Sequence, residues 1–373
     1  MSTPVPDRFY LGLISGTSAD GIDAALASFA GGQATLHFGR TYPWDPALRA
    51  QLVALGQQGA ALSLDAIAEL DVRVARAFAD AASLALADSG IAASAVHAIG
   101  SHGQTLRHRP WGPYPYTLQL GDPSTIAERT GIAVVADLRR RDVAAGGHGA
   151  PLLPGLHTDL FRHGDENRAV LNLGGIANLT LLPADADAPA RGFDTGPANA
   201  LMDAWCLHHH GVDYDRDGAF ARSGTVDATL LRRLLDDAWF TQPPPKSTGR
   251  DQFHLGWVES RLSGRESPAD VQTTLVTLTA RTIADALLAA QPGTTRVIAC
   301  GGGVHNPVLM QALADALPGC VVETTRAHGL DPDHIEAMGF AWLARQTVLG
   351  LPGNLPSVTG AVGPRVLGGI YPA

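Results

Sequence analysis

Lysine is nearly missing from this chain: Lys246 stands alone among 373 residues. With 36 Asp and Glu against 27 Lys and Arg, the formal net charge is −9. No basic field exists to hold a nucleic acid or an anionic membrane surface. The run Arg139, Arg140 and Arg141 is too short to change that, and reads either as a local anion contact or as a solvated turn. Cysteine is scarce too. Cys206, Cys300 and Cys320 are odd in number, far apart and without CxxC spacing, so neither a disulfide framework nor a zinc site is expected and buried free thiols are. No apolar stretch reaches the roughly 20 residues of a membrane helix, and the opening MSTPVPDR has neither the charged nor the apolar part of a signal peptide. These absences predict a cytoplasmic protein.

What is present is a globular balance, 45% hydrophobic and 17% charged, in a chain long enough for two lobes. The first 42 residues read as three strands, Phe9 to Ile14, Ile22 to Phe29 and Ala34 to Tyr42, punctuated by Gly12, Gly16, Gly21, Gly31 and Gly32. That is an antiparallel meander, not a Rossmann unit. A helix is expected over Asp65 to Asp88, where Ile67, Leu70, Val74 and Phe78 recur at helical spacing. Apolar runs at Val96 to Gly100 and Ala133 to Asp137 read as buried parallel strands. Past Pro151 the arrangement starts again: strand Arg168 to Leu173, a Gly-Gly turn, strand Ala177 to Leu182, helices near Val271 to Ala290, Pro307 to Leu317 and Pro332 to Leu349, and a strand at Arg296 to Cys300. Repetition on this scale predicts an internally duplicated α/β fold with a cleft between its halves. Lobe I is expected over residues 1–136, completed by 353–373, and lobe II over 137–352.

Three glycine-rich turns invite a phosphate reading. Gly12 to Asp23 (GLISGTSADGID) ends a strand in small residues, so that backbone N–H groups, with the hydroxyls of Ser15, Thr17 and Ser18, can meet an anion without a Cβ in the way. An ordinary hairpin loop would look similar. The turn at Asn172, Gly174, Gly175 and Asn178 occupies the equivalent place in the second half, and the two together would grip a triphosphate from both sides of a cleft. Gly301, Gly302 and Gly303, with Asn306 before the helix near Pro307, let a nucleotide approach the backbone at a helix N-terminus.

At these points the sequence resembles the actin, hexokinase and Hsp70 superfamily, whose phosphate-1, phosphate-2 and adenosine motifs come in this order, and more closely the anhydro-N-acetylmuramic acid kinase family. The resemblance runs from Tyr10 to Pro372 through SHGQT (Ser101 to Thr105), DLRRRDVAAGGHGAPL (Asp137 to Leu152), NLGGIANLT (Asn172 to Thr180), GFDTGPANALMD (Gly192 to Asp203), PKSTGR (Pro245 to Arg250), CGGGVHN and the closing PGNLPSVTGAVGPRVLGGIYP. It implies a duplicated RNase H-like, actin/hexokinase-type fold of two lobes with an interdomain ATP and sugar cleft. It also implies a homodimer and an ATP-dependent, Mg²⁺-assisted kinase of cell-wall recycling. That kinase opens 1,6-anhydro-N-acetylmuramic acid with water and phosphorylates O6, giving N-acetylmuramic acid 6-phosphate and ADP.

Departures from the superfamily are informative. Leu13 and Asn172 stand where its sugar kinases carry aspartates, and asparagine cannot accept a proton. The base must then come from elsewhere, and the family resemblance implies Asp194, on a short turn before a helix from about Ala198 to His210, where the local sequence alone reads equally as a helix cap or Asx-turn. Asp20 is the expected magnesium partner, through water; Asp23 begins the next strand. The resemblance places His102, Gln104, Thr105 and Arg139 at the sugar, with Arg139 suited to a lactyl carboxylate. His148 stands where the family pattern carries glutamine. His208, His209 and His210 read as a helix surface rather than a metal site, and Met338, Phe340, Trp342 and Leu343 as helix packing.

Overall fold

The structure is a computed structural model that describes residues 8–30, 33–57 and 60–373. Gly31, Gly32 and residues 1–7 lie outside them. The chain divides into two compact units, 1–160 with 329–373, and 161–328. These boundaries fall later than the expected crossing at 136/137 and earlier than the one at 352/353. The reason is local packing: the helix Ile335–Val348 packs on strands of the first sheet, and the helix Pro154–Phe161, all but its last residue, falls in the same unit, with Gly155 against Trp342. Close approach to that sheet requires glycine. A Cβ on Gly12 would fall 1.7 Å from the Ala337 carbonyl oxygen, and one on Gly100 would fall 2.0 Å from that of Phe340.

In the first unit, β1 (Phe9–Ser15), β2 (Ile22–Ser28) and β3 (Thr35–Tyr42) form the meander. Then come β4 (Val96–Arg109), β5 (Tyr116–Leu120), which folds back on it, and β6 (Val134–Ala136). β4 lies parallel to β1 and to β6, and the C-terminal strand Gly369–Tyr371 closes the far edge antiparallel to β6. The helix Leu64–Ser89 covers one face. Ser63 caps it by accepting from the Ala66 N–H, Gly90 ends it in the left-handed region at φ 71°, and Leu70, Val74, Phe78, Ala82 and Ala85 form its buried stripe. Each large side chain buried there is worth about 1.5–3 kcal/mol.

The second unit carries β7 (Asn167–Leu173), β8 (Ile176–Leu182), β9 (Arg191–Pro197), β10 (Thr294–Cys300) and β11 (Val321–Thr324), in the order β11-β10-β7-β8-β9. β7, β8 and β9 are an antiparallel meander and β10 and β11 run parallel to β7. That is the same order and orientation as β6-β4-β1-β2-β3 in the first unit, so the duplication expected from sequence is real and the fold is the duplicated RNase H-like one. The helix Pro268–Ala290 anchors the second core through Val271, Leu275, Leu278, Ile283 and Leu287. Cys206 and Cys300 are buried and Cys320 is half-buried, none of the three in a disulfide.

Candidate functional site

In the first unit, β1 ends at Ser15 and the chain turns through Gly16 to Asp20 before β2. Gly16 and Thr17 are exposed and Ser18 half-buried. Three contacts from elsewhere in the unit fix the turn: Trp44 Nε1 donates to Ser15 Oγ (3.2 Å), Gln104 Nε2 to the Gly16 carbonyl (3.0 Å), and Arg49 Nε to the Ala19 carbonyl (2.8 Å). Gly12, grouped with this turn in the sequence, lies buried in mid-strand against the helix Ile335–Val348. Its lack of a side chain serves packing.

Beside the turn is a cavity of about 540 Å³ lined by Gly16, Ser18, Asp20, Asp23, Asp333 and Glu336, among others. Asp20 is an exposed carboxylate whose Oδ1 accepts from Arg49 Nη2 at 3.0 Å. Asp23 accepts from Thr41 Oγ1 at 2.6 Å, and burial raises its pKa. Sequence reasoning missed Asp333 and Glu336, because no local pattern ties positions more than 300 residues downstream to this turn. Among the described residues no three His, Cys, Asp or Glu side chains converge tightly enough to cage a metal ion by themselves. Hard carboxylate oxygens around an open cavity instead suit a Mg²⁺ ion that keeps most of its waters and is completed by phosphates. Asp20 and Glu336 would hold such an ion.

His102 and Gln104, on β4, are buried, and Thr105 accepts from Gln119 Nε2 at 3.1 Å. Arg139 donates from Nε to His102 Nε2 (2.9 Å) and from Nη1 to the Gly149 carbonyl (2.8 Å), and burial lowers its pKa to about 10. Burial, reinforced by that guanidinium, drives the His102 pKa far down, so His102 is a neutral acceptor. The loop from Arg139 to Gly149 is held from beneath by fully buried Asp142, which accepts from the Gly149 N–H (2.7 Å), Asn354 Nδ2 (2.7 Å) and Thr359 Oγ1 (2.8 Å). His148, in the same loop, meets the exposed ring of Trp111 edge-on at 5.6 Å.

In the second unit the expected turn joins β7 to β8. The Gly174 and Gly175 carbonyls accept from the N–H groups of Asn199, Ala198 and Ala200, which tie the turn to the start of the helix Asn199–His210. The triple glycine packs against the same turn. A Cβ on Gly301 would fall 2.5 Å from Asn172 Oδ1, and one on Gly303 would fall 2.7 Å from Leu173 Cβ. Asn306 begins the next helix by accepting from the Val308 and Leu309 N–H groups.

Asp194 is not on a turn before a helix, as its sequence neighbours suggested, but within β9, directly across from Asn178, which is itself across from Asn172. Paired residues project on one face of a sheet. Asn172, Asn178 and Asp194 thus form one row, with a bulge at Thr195 re-aiming β9 beside it. Asp194 Oδ2 accepts from the Thr248 N–H at 3.0 Å, and its own N–H donates to the Lys246 carbonyl at 3.0 Å. Desolvation raises its pKa to about 6, against the lowering pull of the Thr248 N–H and the Lys246 charge. Nothing local marked Thr248 as its partner; only the PKSTGR string flagged the segment.

The histidines at 208 to 210 pack on Trp205 and Phe220 as a helix surface. Met338, Phe340, Trp342 and Leu343 are buried, with Trp342 Nε1 donating to Asp159 Oδ2 at 2.9 Å.

Comparison with known proteins agrees with the resemblance. The family model described as anhydro-N-acetylmuramic acid kinase matches residues 8–373. A protein of that name from Xanthomonas axonopodis pv. citri is 59% identical over 99% of both chains, and one from Chromohalobacter salexigens is 51% identical over 97% of this chain and 99% of its own. Among solved structures, the activator of 2-hydroxyisocaproyl-CoA dehydratase from Clostridium difficile is a remote likeness, with a TM-score of 0.47 and 13% identity over 90% of this chain and 93% of that one. With its whole described length matched by one family model and by relatives of the same name, this chain belongs to the anhydro-N-acetylmuramic acid kinase family.

Proposed function

We propose that the chain uses ATP to phosphorylate O6 of 1,6-anhydro-N-acetylmuramic acid while water opens the anhydro bridge, yielding N-acetylmuramic acid 6-phosphate and ADP in cell-wall recycling. The observation that carries the proposal is Asp194: a desolvated carboxylate in β9, across from Asn178 and oriented by the Thr248 N–H, with a pKa of about 6, ionised near neutral pH yet basic enough to take a proton. Asp194 removes a proton from water as the water oxygen bonds to the anomeric carbon. The bond from that carbon to O6 breaks, its electron pair stays on O6, and O6 bonds to the γ-phosphorus as the bond to the ADP oxygen breaks. The proton on Asp194 then passes to solvent. One base serves two bond changes, because opening the bridge generates the nucleophile that phosphoryl transfer needs.

Ser15, Gly16, Thr17, Ser18, Asn172, Gly174, Gly175 and Asn178 are each assigned to phosphate binding, with Gly12 supporting its turn through packing. Gly301, Gly302, Gly303 and Asn306 are assigned to the nucleoside side. Mg²⁺, held by Asp20 and Glu336 beside the first turn, supplies charge neutralisation on the phosphates when bound. His102, Gln104, Thr105 and Arg139 are assigned to the sugar, Arg139 Nη2 being the donor left for a lactyl carboxylate once Nε and Nη1 are engaged. No helix among the described residues is long and apolar enough to cross a membrane; a cytoplasmic homodimer is the proposed state.

Incubation with ATP, Mg²⁺ and the anhydro-muramic sugar in ¹⁸O water, followed by mass spectrometry, tests the mechanism. Label at the anomeric hydroxyl of a 6-phosphorylated product is expected. A phosphorylated sugar with its bridge intact would sink the coupled reaction, and equal turnover of an anhydrosugar without lactyl or acetamido groups would redirect the substrate assignment.

A further inference from the structure

The segment from Lys246 to Asp251 does more than hold Asp194. Lys246 is committed: its Nζ donates to the carbonyls of Trp239 (3.3 Å) and Phe240 (2.8 Å) and sits 4.4 Å from the centre of the Trp239 ring. Thr248 is committed as well, with its N–H on Asp194 and its hydroxyl donating to Gln252 Oε1 at 2.8 Å. Phe253, fully buried, anchors the segment in the core and donates its N–H to the Gly249 carbonyl. The backbone is therefore fixed on both sides of Arg250.

Arg250 itself is exposed and has no hydrogen-bond or ion-pair partner among the described residues. Many arginines of this unit contrast with it: Arg168 and Arg296 pair with Glu166, Arg233 with Glu266 and Arg261 with Asp237. Its guanidinium lies against the second glycine turn. A Cβ added to Gly175 would stand 3.3 Å from Nη2 and 3.4 Å from Nε. A planar cation without an anion is thus held at the bare backbone of the Gly174–Gly175 turn.

We propose that Arg250 is a phosphate ligand, its guanidinium receiving the phosphate tail of a nucleoside triphosphate at the Gly174–Gly175 turn. Guanidinium geometry matches two phosphate oxygens at once, and a cation there meets the charge of the transferring group. This rests on the reading of that turn as a phosphate site. It gives the second unit an uncommitted cation at the turn, which the chain's lone lysine, occupied with carbonyls and a ring, does not provide.

The test is calorimetric titration of the full chain with ATP and with adenosine, in Mg²⁺ and without sugar, for the native protein, Arg250→Ala and Arg250→Lys. In the alanine variant ATP affinity is expected to fall about ten- to a hundredfold with adenosine affinity unchanged, and lysine restores part of the loss. Unchanged ATP affinity, or equal losses for ATP and adenosine, overturns the assignment while leaving the kinase reading intact. So does retained ATP affinity with, in a separate titration of the same proteins with the anhydro-muramic sugar alone, a selective loss of sugar affinity, which would make Arg250 a carboxylate ligand. A native protein that binds no ATP overturns both.

Discussion

Replacing Asp194 by asparagine separates its chemical role from its cost to the fold. The carboxyl group titrates at 3.8 when unperturbed and at about 6 in the folded chain, mainly because desolvation disfavours its ionised form. The native state therefore holds the proton more tightly than the unfolded state does. Between these two values the unfolded chain binds fewer protons, so this group's contribution to stability declines as pH rises through that window. Above it the ionised carboxylate costs about 3 kcal/mol, the free-energy equivalent of the gap between the two pKa values. The asparagine side chain would remove that cost while its amide oxygen still accepts from the Thr248 N–H. Asp194→Asn is thus expected to be more stable than the native protein by up to about 3 kcal/mol at about pH 8, and by less than about 1 kcal/mol at about pH 4. Urea unfolding of both proteins at the two pH values measures the difference. Turnover should move the opposite way, falling about 10²- to 10⁴-fold with ATP affinity kept, and the native rate should rise with pH through about 6 as the base loses its proton. A variant that is fully active, or no more stable at high pH than at low, would refute the assignment of a desolvated, working carboxylate.

Gly12→Ala should destabilise the first unit by about 1–3 kcal/mol or more, because its methyl would have to displace the Ala337 carbonyl 1.7 Å away; a thermal melt shows it, and an unaltered melt with weakened ATP binding would return Gly12 to the phosphate site. Asn178→Asp should place a like charge directly across from Asp194 and push that carboxyl's pKa further up, so the rising limb of the pH–rate profile moves to higher pH; an unmoved limb would mean the two side chains do not interact.

The strands, the duplication and the glycine turns were legible because they are written locally. Apolar runs bounded by glycine mark β1, β2, β7 and β8, and the same pattern occurring twice marks two copies. What sequence could not show depends on pairing over long separations. β9 has the composition of a turn, with glycine at 192 and 196 and proline at 197, and becomes a strand only because β8 offers it an edge. Gly196 tolerates this at φ 138°, where a Cβ would stand 2.8 Å from the Phe240 ring. The helix Ile335–Val348 reads as ordinary packing, and nothing in its own residues says that it packs on Gly12 and Gly100, which moves it into the other unit from the one expected.

Long-range pairing also sets the surroundings of the proposed base. It converts positions 172, 178 and 194 into neighbours on one face, and two of the three are amides. An aspartate at 178, directly across from Asp194, would add a like charge and push one of the two carboxyls' pKa up; asparagine offers dipoles without that charge. As the proposed base, Asp194 lies two strands across the sheet from Asn172, where the Thr248 N–H orients it and the Arg250 guanidinium lies against the neighbouring Gly174–Gly175 turn.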